Sequence, residues 1–338
     1  MTRYRRGVWF VAVGALSLLL TACTTTTREP GVGTWSYVNS DLGPFWWYEL
    51  LKLRTVHLDK GATGMGRTIA IVDTGVVTDH EDLKNVLLQG VATCGTNRND
   101  TSDTNGHGTQ LAGIALGRDP GPDPAFGHPP VTQGVAPDAR LLPIKVDCGV
   151  VSADSLVNGV TAAIAKTPDV ILIALGGYPA GTPDVHERLK NLVTEAGADG
   201  AQKGILFVVA SVWDDKAYPL PVWTKLNNVI AVAAMTQEKL GGPDLPFNDK
   251  VGAISAPGQN VGTADIQYEQ VLSSLPLPRF HAQFLMQGTS AASAIVAGCA
   301  ALVKEKMPNL TGAEVKTALT DAAKRSNGRL NCNEAVPR

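Results

Sequence analysis

The sequence predicts an α/β protein of three layers, a mostly parallel central sheet with helices on both faces. Short apolar runs of four to eight residues, rich in Val, Ile and Leu and not alternating with polar residues, read as strands buried on both faces. Segments of helical length separate them, and such strand–helix alternation favours a parallel sheet. The 338 residues show no fixed-period repeat and are 44% hydrophobic, enough for one sizeable core. With 35 Gly and 21 Pro the composition is neither collagen-like nor low-complexity. The formal net charge of −2 leaves no basic excess to neutralise phosphates, which argues against nucleic acid as a partner.

At the amino terminus Arg3, Arg5 and Arg6 precede an apolar run from Val8 to Leu20, which ends in Leu20-Thr21-Ala22-Cys23. The run has 13 residues, short of the roughly 20 that span a bilayer as a helix. Residues 1–22 resemble a bacterial lipoprotein signal, with Cys23 as the acylated residue. The resemblance implies an exported protein held to a cell-envelope membrane by lipid at Cys23. Without residues 1–22 the formal net charge falls from −2 to −5. Residues 23–44, opening with Thr24 to Thr27, read as a flexible tether, and residues 45–338 as one domain. That domain opens with the aromatic cluster Phe45-Trp46-Trp47-Tyr48, which reads as core packing or as a lid at the edge.

The expected strands are Thr68–Val72, Ala139–Val146, Val170–Leu175, Gly204–Ala210 and Asn228–Ala234. Ser152–Lys166 and Pro183–Gly197 read as helices between them. Gln110–Leu116 and the small-residue stretch Ala294–Val303 read as two more.

Three residues in this frame carry chemistry. Asp73 ends the first apolar run, before Gly75, at the strand end where open α/β sheets place their sites; alone it also reads as a turn residue or helix cap. His107 lies between Gly106 and Gly108, ahead of a helix. The other histidines, His57, His80, His128, His186 and His281, have no such setting and read as incidental. Ser290, in Gly288-Thr289-Ser290-Ala291-Ala292, runs into a helix, where it reads as an N-cap or as a nucleophile beside a helix N-terminus.

In the order Asp73, His107, Ser290, these motifs resemble the subtilisin-like (subtilase) serine peptidases. The resemblance extends to Asp79-His80-Glu81-Asp82-Leu83, Gly134-Val135-Ala136-Pro137, Leu175-Gly176-Gly177, Ala256-Pro257-Gly258 and the stretch from Gly328 to Val336. The order also excludes an α/β-hydrolase, whose nucleophile comes first and within Gly-x-Ser-x-Gly. The resemblance implies a subtilisin-like fold and an endopeptidase acting on polypeptides through Ser290 as nucleophile, His107 as base and Asp73 as its orienting carboxylate. It makes Ala174, Leu175, Gly176 and Gly177 the substrate-binding edge strand. It requires no cofactor for the chemistry and implies calcium as a structural cation, with Asp82 at a ligating position.

Several positions depart from the family. Trp213 stands where an Asn side chain donates to the oxyanion, Ala174 where Ser usually precedes Leu-Gly-Gly, and Ala291 and Ala294 where Met and Pro flank the nucleophile's helix. Two function classes therefore stay open, an exported peptidase with an atypical oxyanion hole and a membrane-tethered, non-catalytic protein-binding module. Only about 40 residues separate Cys23 from the first expected strand at Thr68, too few for a folded inhibitory prodomain, so activation by prodomain removal is not expected. Apart from Cys23, four cysteines remain, which admit three pairings. The family's layout implies Cys94–Cys148 and Cys299–Cys332, in an oxidising compartment.

Overall fold

Six short strands line up in parallel around Thr68–Asp73 (β1) in a seven-stranded sheet. The others are Val91–Ala92 (β2), Arg140–Lys145 (β3), Val170–Ile173 (β4), Leu206–Ala210 (β5), Val229–Met235 (β6) and Ile254–Pro257 (β7). Their order is β2-β3-β1-β4-β5-β6-β7, and every pairing is parallel. The computed structural model describes residues 46–80, 82–118, 134–175, 183–198, 204–211, 225–235, 254–264 and 283–338. The chain divides into two units, 1–39 and 40–338, and every described residue belongs to the second. Cys23 and the segments expected to be a signal and a tether lie outside the described residues, as do Gly176, Gly177, Trp213 and residues 119–133. Among the described residues no helix is long and apolar enough to cross a membrane.

The side chains show why the apolar runs do not alternate in sequence. Ile69, Ile71, Val170, Leu172, Leu206, Val208, Ile230 and Val232 enter one core. Their neighbours Ala70, Val72, Ile171, Ile173, Phe207, Val209 and Val229 enter a second. A strand alternates its faces whatever its sequence, so a strand apolar at every position must be covered on both. The second core is closed by helices Ala153–Ala165 (α4) and Pro183–Ala198 (α5). On the other side lie His107–Leu116 (α3), Thr289–Lys306 (α6) and Gly312–Lys324 (α7), with Cys332–Ala335 (α8) behind them.

Caps set several ends. Ser152 and Ser155 form a reciprocal capping box at the start of α4, each hydroxyl accepting from the other's backbone N–H at 3.0 Å. Thr311 and Glu314 do the same for α7. Helix α6 is buried from Ala291 to Lys304, which its small residues Ala, Ser, Gly and Cys permit in a crowded core.

The amino-terminal aromatics form Trp46–Leu50 (α1), followed by Leu53–Leu58 (α2). Trp46 and Trp47 are buried with Leu51, Leu53 and Val56 in the first core, so the cluster is packing. His57 is not incidental: Tyr48 Oη lies 2.9 Å from its Nδ1, and its Nε2 lies 2.8 Å from the Val135 carbonyl. Burial lowers the His57 pKa, and burial, with Glu49 nearby, pushes the Tyr48 phenol up to about 12. His80 too is buried, its Nδ1 accepting from the Asp82 backbone N–H.

The far end of α6 is tied to both flanks of the domain. Glu305 accepts from the backbone N–H groups of Thr63 and Gly64, at 2.7 and 2.6 Å, and Lys306 donates to the Lys60 carbonyl. Lys60 in turn donates to the carbonyls of Asn333 and Val336. Disulfide Cys299–Cys332 fastens α6 to α8, while Cys94–Cys148 joins the loops after β2 and β3.

Candidate active site

In the sheet order, the chain leaves β1 toward β2 and β3 on one side, then crosses to β4 and continues to the other. The carboxyl ends of β1 and β4 therefore flank a topological switch point, where open α/β sheets open a crevice. Asp73 is the last residue of β1, and Val72 pairs with Ile173. Ala174, one residue beyond Ile173, comes level with Asp73 on the neighbouring strand.

Asp73 is fully buried, and its Oδ1 lies 2.8 Å from His107 Nδ1 while also accepting from the Thr74 backbone N–H at 2.8 Å. Its Oδ2 is buried with no hydrogen-bond partner among the described residues. Burial of the ring pulls the His107 pKa down, but the charge and hydrogen bond of Asp73, with the charge of Asp103, outweigh it and lift the pKa above 6.5. An Asp73 bond to Nδ1 leaves Nε2 as the ring nitrogen open to a substrate-side hydroxyl.

His107 is the first residue of α3 rather than part of a preceding loop, after Gly106 at φ 102°. Ser290 likewise lies inside its helix, as the second residue of α6. The cap is Gly288 at φ 105°, so Ser290 is not the N-cap. The Ser290 N–H thus belongs to the first turn, where a helix has no acceptor of its own and its dipole favours negative charge. The Ser290 hydroxyl donates to the Ala174 carbonyl at 3.1 Å, and Ser293 donates to the Ser290 carbonyl at 2.8 Å. The nucleophile candidate is thereby fixed over the end of β4, beside the strand that carries Asp73. Ala174 is buried and Leu175 half-buried just past the end of β4, which stops at Ile173 rather than Leu175.

The sequence profile of the Subtilase family matches residues 64–336. The chain belongs to the subtilase family of serine peptidases. Among subtilases it is similar to the Major intracellular serine protease of Bacillus subtilis (strain 168), 31% identical over 255 residues, or 72% of this chain and 70% of that one. It is also similar to Subtilisin DY of Bacillus licheniformis, 31% identical over 277 residues, covering 78% and 86% of the two chains. Two solved structures share the subtilase fold. MycP1 with its N-terminal propeptide removed has a TM-score of 0.64 at 24% identity, covering 87% of this chain and 98% of that one. A cold adapted subtilisin-like serine proteinase has a TM-score of 0.58 at 21% identity, covering 77% and 83%.

As a subtilase serine peptidase, the protein acts on polypeptides. The sequence points to calcium at Asp82, which is buried, with its backbone bonded to His80 and Arg118. Among the described residues no group of three or more His, Cys, Asp or Glu comes together to hold a metal. Asp82 on its own does not make a fitting site, and no catalytic step below depends on one. The residue that sequence reading missed is Asp103, four positions before His107, whose buried carboxylate lies in the turn that delivers the imidazole. Its signal, an Asp shortly before a Gly-His-Gly, reads in sequence as an ordinary loop residue.

Proposed function

We propose that this subtilase is an exported endopeptidase, lipid-anchored through Cys23, that cleaves peptide bonds with Asp73, His107 and Ser290. The observation that carries the reading is the 2.8 Å bond from the buried Asp73 carboxylate to His107 Nδ1. An unassisted hydroxyl is a weak nucleophile near neutral pH, and this bond holds the imidazole in the tautomer that can accept a proton at Nε2. Ser290 Oγ turns from the Ala174 carbonyl toward His107 and attacks the scissile carbonyl carbon, its proton passing to Nε2. The tetrahedral intermediate collapses as His107 returns that proton to the leaving amine, and water repeats the sequence to release the acyl group. Asp73 stabilises the imidazolium in both halves without itself taking the proton.

The developing oxyanion lies within reach of the Ser290 N–H in the first turn of α6. The second donor is where the protein departs from its relatives, with Trp213 at the position of the side-chain amide. Its indole offers a single N–H on a rigid ring, and losing one oxyanion donor typically costs about 10²- to 10³-fold in kcat. The reading is thus of a slow peptidase. The resemblance of residues 1–22 to a lipoprotein signal and the two disulfides support an oxidising, extracytoplasmic location.

A fluorophosphonate probe tests the reading directly. Wild-type protein should acquire one covalent adduct at Ser290 by mass spectrometry, and His107→Ala should not. Folded wild type that remains unlabelled would instead favour the membrane-tethered binding module. Metabolic acyl-labelling tests the anchor, which a Cys23→Ala variant should abolish.

A further inference from the structure

Asp103 is buried to 7% exposure, and both of its oxygens are occupied by the turn around His107. Oδ1 accepts from the backbone N–H groups of Asn105 and Gly106, at 3.0 and 2.9 Å. Oδ2 accepts from the backbone N–H of Thr109 at 3.0 Å and from its hydroxyl at 2.7 Å. Four bonds from one carboxylate therefore bracket His107 on both sides. The Thr109 hydroxyl also accepts from the Val77 N–H at 3.1 Å, and Thr74 Oγ1 accepts from the Gly108 N–H at 2.9 Å. The turn that carries His107 is thus joined to the turn that follows Asp73. A third tie comes from β3, where the buried Lys145, paired in register with Asp73, donates its ammonium to the Ser102 carbonyl.

We propose that Asp103 is a positioning residue: its carboxylate folds the 103–109 turn and so sets the imidazole of His107 against Asp73 in line for Ser290. The assignment rests on the catalytic reading of Asp73, His107 and Ser290. Positioning explains why the carboxylate is buried here although it faces no substrate. A charged acceptor bonds backbone N–H donors about twice as strongly as a neutral one. Displacements on the order of 1 Å at a catalytic group cost about 10²-fold in rate, so a turn held by one side chain is a point of control. The same carboxylate adds to the negative field on His107. The charges that act on the imidazole are Asp73 from β1 and Asp103 from its own turn, while Lys145 from β3 holds the Ser102 carbonyl just before that turn.

The test uses the full-length protein and two variants. Asp103→Asn keeps the shape but removes the charge and turns an amide N–H₂ toward one pair of donors. Asp100→Asn, at an exposed carboxylate earlier in the same loop, serves as the charge control. Asp103→Asn should lower kcat about 10- to 100-fold with KM unchanged, and should move the His107 titration, followed by NMR of the imidazole, to lower pH. Asp100→Asn should match wild type in kcat. A wild-type kcat and His107 titration in Asp103→Asn would overturn the assignment. The titration needs no turnover, so it decides the role of Asp103 even if wild type fails to label with fluorophosphonate, a result that would count against the catalytic reading alone.

Discussion

Gly108 packs so tightly beneath Gly75 that a Cβ on it would lie 2.2 Å from the Gly75 carbonyl oxygen. The helix bearing His107 and the turn after Asp73 can approach this closely because Gly108 carries no side chain; a Cβ on Gly75 would instead meet the Thr101 carbonyl oxygen at 2.4 Å. The obstructing atom is backbone, which cannot rotate away. Gly108→Ala should therefore push α3 off β1, at a cost of about 1–3 kcal/mol in stability. Because the contact lies one residue from His107, kcat/KM should fall by a larger factor than the melting temperature alone implies. Full activity in a folded Gly108→Ala protein would show that the close approach does not matter.

The raised pKa of His107 fixes the sign of two pH effects. The base must be neutral to accept the Ser290 proton, so the acid limb of kcat/KM should fall above pH 6.5. The stability effect runs the other way. The folded state binds this proton more tightly than the unfolded chain, so its contribution is complete below about pH 6.5 and is lost as pH rises through the folded value. Asp73→Asn should remove the stabilisation, move the acid limb down and reduce kcat about 10⁴-fold. A wild-type limb at or below 6.5 would contradict the assigned pair.

Ser290→Ala should eliminate turnover and labelling, a loss on the order of 10⁶-fold in kcat. It should leave the fold nearly untouched, because the hydroxyl contributes one half-buried hydrogen bond, to Ala174, worth about 0.5–1.5 kcal/mol. Residual hydrolysis at the wild-type rate would move the nucleophile elsewhere.

The two disulfides should open in a fixed order. Cys299 and Cys332 are fully buried between α6 and α8, whereas Cys148 is exposed and Cys94 half-buried. Under limiting reductant, alkylation should mark Cys94 and Cys148 well before the other pair. Loop closure over 54 and 33 residues makes each bridge worth about 4 kcal/mol. Reducing both should therefore lower the melting temperature far more than opening the first. Simultaneous alkylation of all four would point to global unfolding instead.

The parallel strands were legible because burial on both faces leaves an uninterrupted apolar run, and β1, β3, β4, β5 and β6 differ from their expected bounds by two residues or fewer. β2 has two residues and β7 carries Pro257, so neither offers a periodic pattern. Helix α7 is harder to see in the sequence, although Thr311 and Glu314 form a capping box, because its buried stripe of Val315, Leu319, Ala322 and Ala323 holds only two large apolar side chains. Asp73, His107 and Ser290 were legible as motifs because glycines and helix starts surround them. The role of Asp103, the Ser290–Ala174 contact and the bonding of His57 were not. The Ser290–Ala174 contact and the His57–Val135 bond join segments that meet only after the chain has folded, whereas the bonds of Asp103 span two to six residues and show only in the folded geometry of its turn.

The packing of α1 and α2 bears on how this protein should be cut for expression. The family match begins at residue 64, yet Trp46, Trp47, Leu51, Leu53 and Val56 already belong to the core that α3 and α6 share. Lys306 holds the Lys60 carbonyl at the far end of the helix that begins with the nucleophile. A recombinant fragment trimmed to the family boundary would expose a greasy scar on that core and loosen the foot of α6. The shortest piece worth purifying starts upstream of Trp46.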